Sequence, residues 1–272
     1  MWFNSPQFAT PHDLGRVALV GCLLGLVLGI HIALALFCVA GFEEIKGDKW
    51  AMIWQWSLYA ISVSLNRSSF FFSYLLHWLS FLQLCIFHIL EFFVTAIYNP
   101  TVATSDSFLV NHSKAYTAAN IFASSEFFLR FIFFPRYFSA WLSRLGILMV
   151  LISQSVRSLA MITCGESFNH LIQTQKKENH KLVTQGIYKY LRHPSYFGFF
   201  YWSVGTQLIL QNFVSFFLFA FASYKFFSRR IPYEEASLLH HFPDEYWEYA
   251  QKARILIPFI PSKIRKEDEK DK

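Results

Sequence analysis

Apolar residues along this chain fall into long blocks separated by short polar breaks. Val17 to Phe42 and Ser68 to Leu90 contain no Asp, Glu, Lys or Arg, and each exceeds the roughly 18 to 20 residues a helix needs to cross hydrocarbon. Reading the chain block by block predicts helices near residues 14–40, 50–65, 70–98, 116–134, 138–163, 196–211 and 213–228. The last two share the uncharged stretch Ser195 to Tyr224. Its 30 residues make about 45 Å of helix, too much for one span, and polar Gln207, Gln211 and Asn212 interrupt it midway. A helical hairpin is the expected result.

Composition moves the picture from helices to membrane helices. The 272 residues are 54% hydrophobic, 19% aromatic and 15% charged, against about 25% charged in a soluble domain. Thirty-two Phe and eight Trp are more apolar surface than one core conceals. The expected fold is therefore an all-α integral membrane protein with seven transmembrane helices, within a range of six to eight. Of 24 Lys and Arg, fifteen lie in Arg157 to Arg192 and Arg229 to Lys272. Those two segments flank the hairpin, so both are expected in the cytosol, with the hairpin dipping in from that side.

The expected partition is 1–163 for amino-terminal membrane helices, 164–262 for the chemistry-bearing region and 263–272 for a charged, disordered tail. Met1 to Arg16 carries Asp13 and no basic stretch, so no cleaved leader is expected. Cys22, Cys38, Cys85 and Cys164 lack metal-ligand spacing, and with Lys270-Asp271-Lys272 last, membrane attachment is expected through helices rather than a prenyl anchor. Asn66-Arg67-Ser68 and Asn111-His112-Ser113 are glycan sequons useful as topology probes.

The polar insert before the hairpin, from Gly165 through Asn169, His170 and His180 to Arg192-His193-Pro194-Ser195-Tyr196, concentrates His, Asn, Tyr and bases at a membrane boundary. Its plain reading is a surface loop with basic anchors and an aromatic belt. After the hairpin, Leu238, Leu239, Phe242, Tyr246 and Tyr249 recur at helical spacing behind Arg229-Arg230 and Glu234-Glu235, predicting an amphipathic segment on the membrane surface. The hairpin returns the chain to its starting side, so the two polar clusters are brought together.

Arg157 lies near the end of the fifth apolar block. It is a candidate to contact an anionic substrate, to snorkel to headgroups, or to pair with Glu166. His88 and Glu91 have the i, i+3 spacing of a metal-binding helix without a matching second pair, so no metal site is expected. Glu126 and Arg130, at i, i+4, are expected to pair. His240 and His241 are expected on a solvated face.

The ordered series Asn169-His170, Gln173, His180-Lys181-Leu182-Val183-Thr184, Gly186, Tyr188, Arg192-His193-Pro194-Ser195-Tyr196, Gly198, Gly205-Thr206-Gln207, Arg230, Glu234-Glu235 and Ser237-Leu238 resembles the protein-S-isoprenylcysteine O-methyltransferase family. Upstream, Val94-Thr95-Ala96, Asn99-Pro100, Asp106 to Leu109 and Asn111-His112-Ser113 resemble its eukaryotic branch. The resemblance implies an endoplasmic-reticulum enzyme moving a methyl group from S-adenosylmethionine to the carboxylate of a carboxy-terminal prenylated cysteine. Carried over position by position, it implies a cofactor site of Gln173, His180, Lys181, Leu182, Val183, Tyr188, His193, Pro194, Ser195, Tyr196 and Glu234. Arg230 is directed to the prenylcysteine.

The residue types suit that chemistry. An α-carboxylate, with a pKa near 3.5, is ionised at neutral pH and needs no general base. Arg230 is suited to grip it, Glu234 to hold hydroxyl or ammonium groups, and a tyrosine ring to face a sulfonium. No glycine-rich loop after a strand is present, so the helices and insert must build the cofactor pocket without a Rossmann domain. Expected partners are a prenylated protein terminus and membrane lipid, with no nucleic acid and no metal. The competing expectation is a phospholipid N-methyltransferase or sterol reductase of similar layout; a transporter would require repeats or broken helices.

Overall fold

A computed structural model describes residues 21–26, 29, 67–110, 114–134, 139–170, 172 and 181–262, with backbone alone over 67–79. Among the described residues from 67 onward, six α-helices follow one another: α1 Arg67–Tyr98, α2 Lys114–Phe133, α3 Ala140–Cys164, α4 Pro194–Leu210, α5 Phe213–His241 and α6 Pro243–Lys252. Among the described residues, extended pairing is confined to one isolated parallel bridge between Leu191 and Arg254. The last five expected spans are thus present as helices. Apart from the helical residues 21–26 and 29, the expected spans at 14–40 and 50–65 lie outside the described residues, as do Cys38, both sequon asparagines, Gln173, His180 and the 263–272 tail. Ser80–Tyr98 and Ala140–Ser167 are long and apolar enough to cross a membrane.

α3 is arranged inside out. Ser143, Gly146, Val150, Ser153, Arg157 and Ala160 are buried, whereas Trp141, Leu145, Leu148, Ile152 and Leu159 are exposed. Small and polar residues between helices, with large apolar ones outward, is the arrangement membrane helices use to approach closely. A Cβ on Gly146 would lie 2.6 Å from the Ile209 nitrogen, and one on Gly198 would lie 2.6 Å from Arg157 Cβ and 2.7 Å from the Ser153 carbonyl. α3 and α4 therefore touch almost backbone to backbone. Phe200, Val204, Phe227 and Ile231 then pack α4 on α5, with Ile255, Ile257 and Ile260 closing the cluster.

The hairpin turn forms where the polar residues predicted it. Gln211 ends α4 in the left-handed region at φ 56°, a conformation costly for a residue with a Cβ. Its side chain is held there, Nε2 donating to the Ser139 carbonyl (2.7 Å) and Ser143 Oγ (2.7 Å) while Oε1 accepts from the Ser139 N–H (2.8 Å). Glu126 on α2 caps α5, accepting from the Val214 and Ser215 N–H groups, both at 2.7 Å, and from Ser215 Oγ at 2.6 Å. It also faces the charge of Arg130, the partner expected from their spacing, while these hydrogen bonds cap the positive end of a helix.

One boundary differs from the sequence reading. The amphipathic segment is not a separate surface helix: α5 continues unbroken through Pro232 to His241. Pro232 costs one internal bond, and its neighbours otherwise favour helix. The break comes at Phe242 (φ −139°), because the residue before a proline is driven out of the helical region. Pro243 then starts α6, with Asp244 and Glu245 in its first turn.

Candidate active site

The polar insert begins fastened to α1. Asn99 Nδ2 donates to the carbonyls of Glu166 (3.0 Å) and Phe168 (2.8 Å), and Thr95 Oγ1 lies 3.5 Å from His170 Nε2. One turn earlier on α1, Glu91 is fully buried and meets Arg157 from α3 in a two-pronged pair, Nε to Oε1 at 2.5 Å and Nη2 to Oε2 at 2.7 Å. Arg157 Nη1 donates to Ser195 of α4, to its carbonyl at 3.1 Å and its hydroxyl at 2.9 Å. The partner of Arg157 is therefore Glu91 and not Glu166. The metal-like spacing of His88 and Glu91 also resolves otherwise, since His88 Nδ1 bonds the Phe108 carbonyl at 2.7 Å.

Tyr196, next to Ser195, carries the second charged group. Arg230 Nε donates to its hydroxyl at 2.8 Å, and that hydroxyl donates to Glu234 Oε2 at 2.5 Å. Arg230 and Glu234 stand one turn apart on α5, so both reach the same tyrosine. Arg230 Nη2 donates to the His170 carbonyl at 2.6 Å, and its guanidinium lies over the rings of Tyr196 (5.4 Å) and Phe226 (5.7 Å). His193 stacks on Tyr196 with centroids 5.3 Å apart.

A supporting layer lies behind. Glu235 Oε1 is 2.9 Å from Arg192 Nε, an ion pair off hydrogen-bonding alignment because that nitrogen has no hydrogen-bond partner. The same oxygen lies 3.1 Å from His193 Nε2 and accepts from the Tyr246 hydroxyl at 3.2 Å. Arg192 Nη1 donates to the Ala250 carbonyl at 2.8 Å, and the Tyr249 hydroxyl to the Tyr188 carbonyl at 2.7 Å, which anchors α6 under the Arg192-His193-Pro194 segment. Burial alone raises the Glu235 carboxyl, but the hydrogen bond from His193 and the charges of His193 and Arg192 outweigh it and hold the group below its ordinary value. A depressed carboxyl stabilises the fold above the unfolded pKa, and that contribution is lost as pH falls through the folded one. Glu235→Gln is accordingly expected to melt earlier in detergent at neutral pH and to lose part of the wild-type protein's acid sensitivity below about pH 4.5.

A cavity of about 990 Å³ joins these groups, at the upper end of the usual size for ligand pockets. Arg157, Lys181, Leu182, Val183, Tyr188, His193, Pro194, Ser195, Tyr196, Arg230 and Glu234 all line it, which is every candidate site residue that is described; Gln173 and His180 lie outside the described residues. Elsewhere its lining is apolar, including Phe122, Phe128, Leu218 and Phe221 of α2 and α5, which are exposed. Sequence reasoning missed Glu91, Arg192 and Glu235 as supports. For Glu91 the signal was present: a carboxylate within an apolar block calls for a buried partner, and Arg157 is a cation of matching depth.

Residues 145–240 match the sequence model of the isoprenylcysteine carboxyl methyltransferase family. The protein-S-isoprenylcysteine O-methyltransferase of Saccharomyces cerevisiae is 45% identical over 256 residues, covering 92% of this chain and 93% of the yeast protein. Those of Xenopus laevis and Homo sapiens are each 45% identical over 179 residues, 65% of this chain. The match spans 62% and 63% of their respective lengths, less than two thirds. The solved structure of a eukaryotic intramembrane Ras methyltransferase superposes with a TM-score of 0.70 at 30% identity, covering 89% of this chain and 98% of that one. With its cavity built from the same ordered residues that carry the sequence resemblance, this chain belongs to the isoprenylcysteine carboxyl methyltransferase family.

Proposed function

We propose that this protein transfers a methyl group from S-adenosylmethionine to the free α-carboxylate of a carboxy-terminal prenylated cysteine. It works as a multi-pass protein of the endoplasmic-reticulum membrane with seven to eight helices, its 164–262 region facing the cytosol. The observation that carries this reading is one continuous cavity lined by charged groups of both signs and by exposed aromatic side chains. A prenylcysteine has the same dual character. Its hydrocarbon suits the α2 and α5 walls, reachable from the bilayer, and its carboxylate suits the arginines.

The donor set fits the methyl donor as well. Glu234 supplies a carboxylate for ammonium or hydroxyl groups, Leu182 and Val183 supply apolar surface, and the ring of Tyr188 supplies an electron-rich face for a cation. S-adenosylmethionine, when bound, supplies an electrophilic methyl group. The chain's own residues have no proton to move, because the carboxylate is already ionised. Their work is alignment and exclusion of water. No partner among the described residues takes the Nη1 end of Arg230, whose two bonds use Nε and Nη2, leaving that end for a carboxylate. The relatives named above are all methyltransferases of prenylcysteine or Ras, so a phospholipid transferase or a sterol reductase is not favoured.

Membranes carrying this protein are expected to transfer labelled methyl from S-adenosylmethionine to a short prenylcysteine as base-labile ester. Base-stable label in lipid, or no label, would overturn the reading.

A further inference from the structure

Arg157 lines the cavity, and Glu91 stands behind it, outside the lining. Glu91 is fully buried and Arg157 nearly so. Of the five guanidinium N–H groups, Nε and one on Nη2 go to Glu91 and Nη1 serves both Ser195 acceptors. One Nη2 hydrogen is left over. The guanidinium also lies beside the rings of Phe87 and Phe199, at 5.5 and 5.4 Å, whose centroids are 6.0 Å apart, so two packed aromatic rings restrict its movement on one side. α1, α3 and α4 all contribute to holding one cation beside the cavity.

Stability alone is a poor account of this arrangement. A buried ion pair gains little over well-packed apolar residues, because both charges lose their hydration. Its value lies in what it does to Arg157. An unpaired guanidinium in a low-dielectric site attracts a carboxylate strongly. That attraction is greatest while the carboxylate keeps its full charge, and it weakens as the oxygen forms its bond to the methyl carbon. Binding energy of this kind favours the ground state over the transition state and slows the reaction.

We propose that Glu91 is a positioning residue for methyl transfer: it cancels the charge of Arg157 and fixes its plane, so that Arg157 meets the substrate carboxylate as an oriented hydrogen-bond donor rather than as a bare cation. The inference rests on the methyl-transfer reading above, with the carboxylate delivered to Arg157 as well as to Arg230. Arg230 shows the same pattern, being linked to Glu234 through the Tyr196 hydroxyl. Glu91 also lies 3.9 Å from the His170 ring, whose own carbonyl accepts from Arg230, so both arginines are referred to one buried carboxylate.

The test compares binding of a prenylcysteine with that of its methyl ester, which has the same hydrocarbon and no charge. Glu91→Gln is expected to raise the preference for acid over ester about tenfold while lowering kcat by at least as much, the pattern of a ground state bound too well. An acid-to-ester preference unchanged from wild type would overturn the proposal, since a pair that only braces the helices has no reason to discriminate the two ligands. If Glu91→Gln does not fold, the neutral double variant Glu91→Gln/Arg157→Gln removes both charges. Its acid preference is expected to fall below that of wild type, and a wild-type preference there would equally defeat the proposal. Wild-type ester formation is measured in parallel, so failure of the methyl-transfer reading is seen separately from failure of the role of Glu91.

Discussion

Arg230→Ala is expected to reduce kcat/KM for prenylcysteine methylation by at least about 10³-fold while leaving the thermal midpoint in detergent within a few degrees of wild type. Two paired, charge-assisted hydrogen bonds to a carboxylate contribute about 1.5–3 kcal/mol each, and the loss falls on the atoms that must be aligned. Arg230 is half-buried beside the cavity, and its protein contacts are the Tyr196 hydroxyl, the His170 carbonyl and two ring faces. Removing it strands no buried carboxylate, because Glu234 keeps the Tyr196 hydroxyl and some solvent access. Arg230→Lys should restore little, since an ammonium cannot reproduce a planar fork stacked on an aromatic ring. Glu234→Gln is expected to behave differently, raising KM for S-adenosylmethionine with a smaller effect on that for prenylcysteine. Steady-state kinetics with each substrate varied in turn separates the two. Retention of more than a tenth of wild-type kcat/KM by Arg230→Ala would remove it from the substrate contacts.

How much of this was legible beforehand depends on whether a feature is local. The spans at 70–98 and 138–163, and the hairpin centred on Gln211 and Asn212, follow from apolar run length and a polar interruption, and the helices Arg67–Tyr98 and Ala140–Cys164 and the turn at Gln211 appear where those signals put them. The convergence of Tyr196 with Arg230 and Glu234 was also legible, because a hairpin must return its two ends to one place. The length of α5 was not. The apolar run ends near residue 228, yet α5 continues because Pro232 costs a single bond in a helix otherwise well supplied with contacts, and the break falls at the residue before Pro243. The pairing of Glu91 with Arg157 joins residues 66 positions apart, and no local periodicity reports it. Nearby Glu166 was the plausible partner by distance along the chain, but it sits exposed on the turn that Asn99 holds.

The glycines of the α3–α4 contact lead to the second large effect. Gly198→Ala places a Cβ 2.6 Å from Arg157 Cβ and 2.7 Å from the Ser153 carbonyl, closer than real Cβ contacts come. Those atoms belong to α3 itself and cannot rotate away, so α4 must shift by several tenths of an ångström. Overpacking of this kind costs about 1–3 kcal/mol. The place of the clash matters more than its cost. Gly198 is three residues from Ser195, whose carbonyl and hydroxyl hold Arg157, and two from Tyr196, which holds Arg230 and Glu234. A displacement there moves both arginines relative to the cavity, and a misplacement of about 1 Å at reacting groups costs on the order of 10²-fold in rate. Gly146→Ala meets an equally close backbone atom, the Ile209 nitrogen at 2.6 Å, but at the far end of the same contact, beside the Gln211 turn. Both variants are expected to lower the thermal midpoint to a similar extent. Only Gly198→Ala is expected to lose about 10²-fold in kcat per folded molecule, measured after normalising to the monodisperse fraction. Equal specific activities in the two variants would show that the α3–α4 contact sustains the fold without setting the geometry of the site.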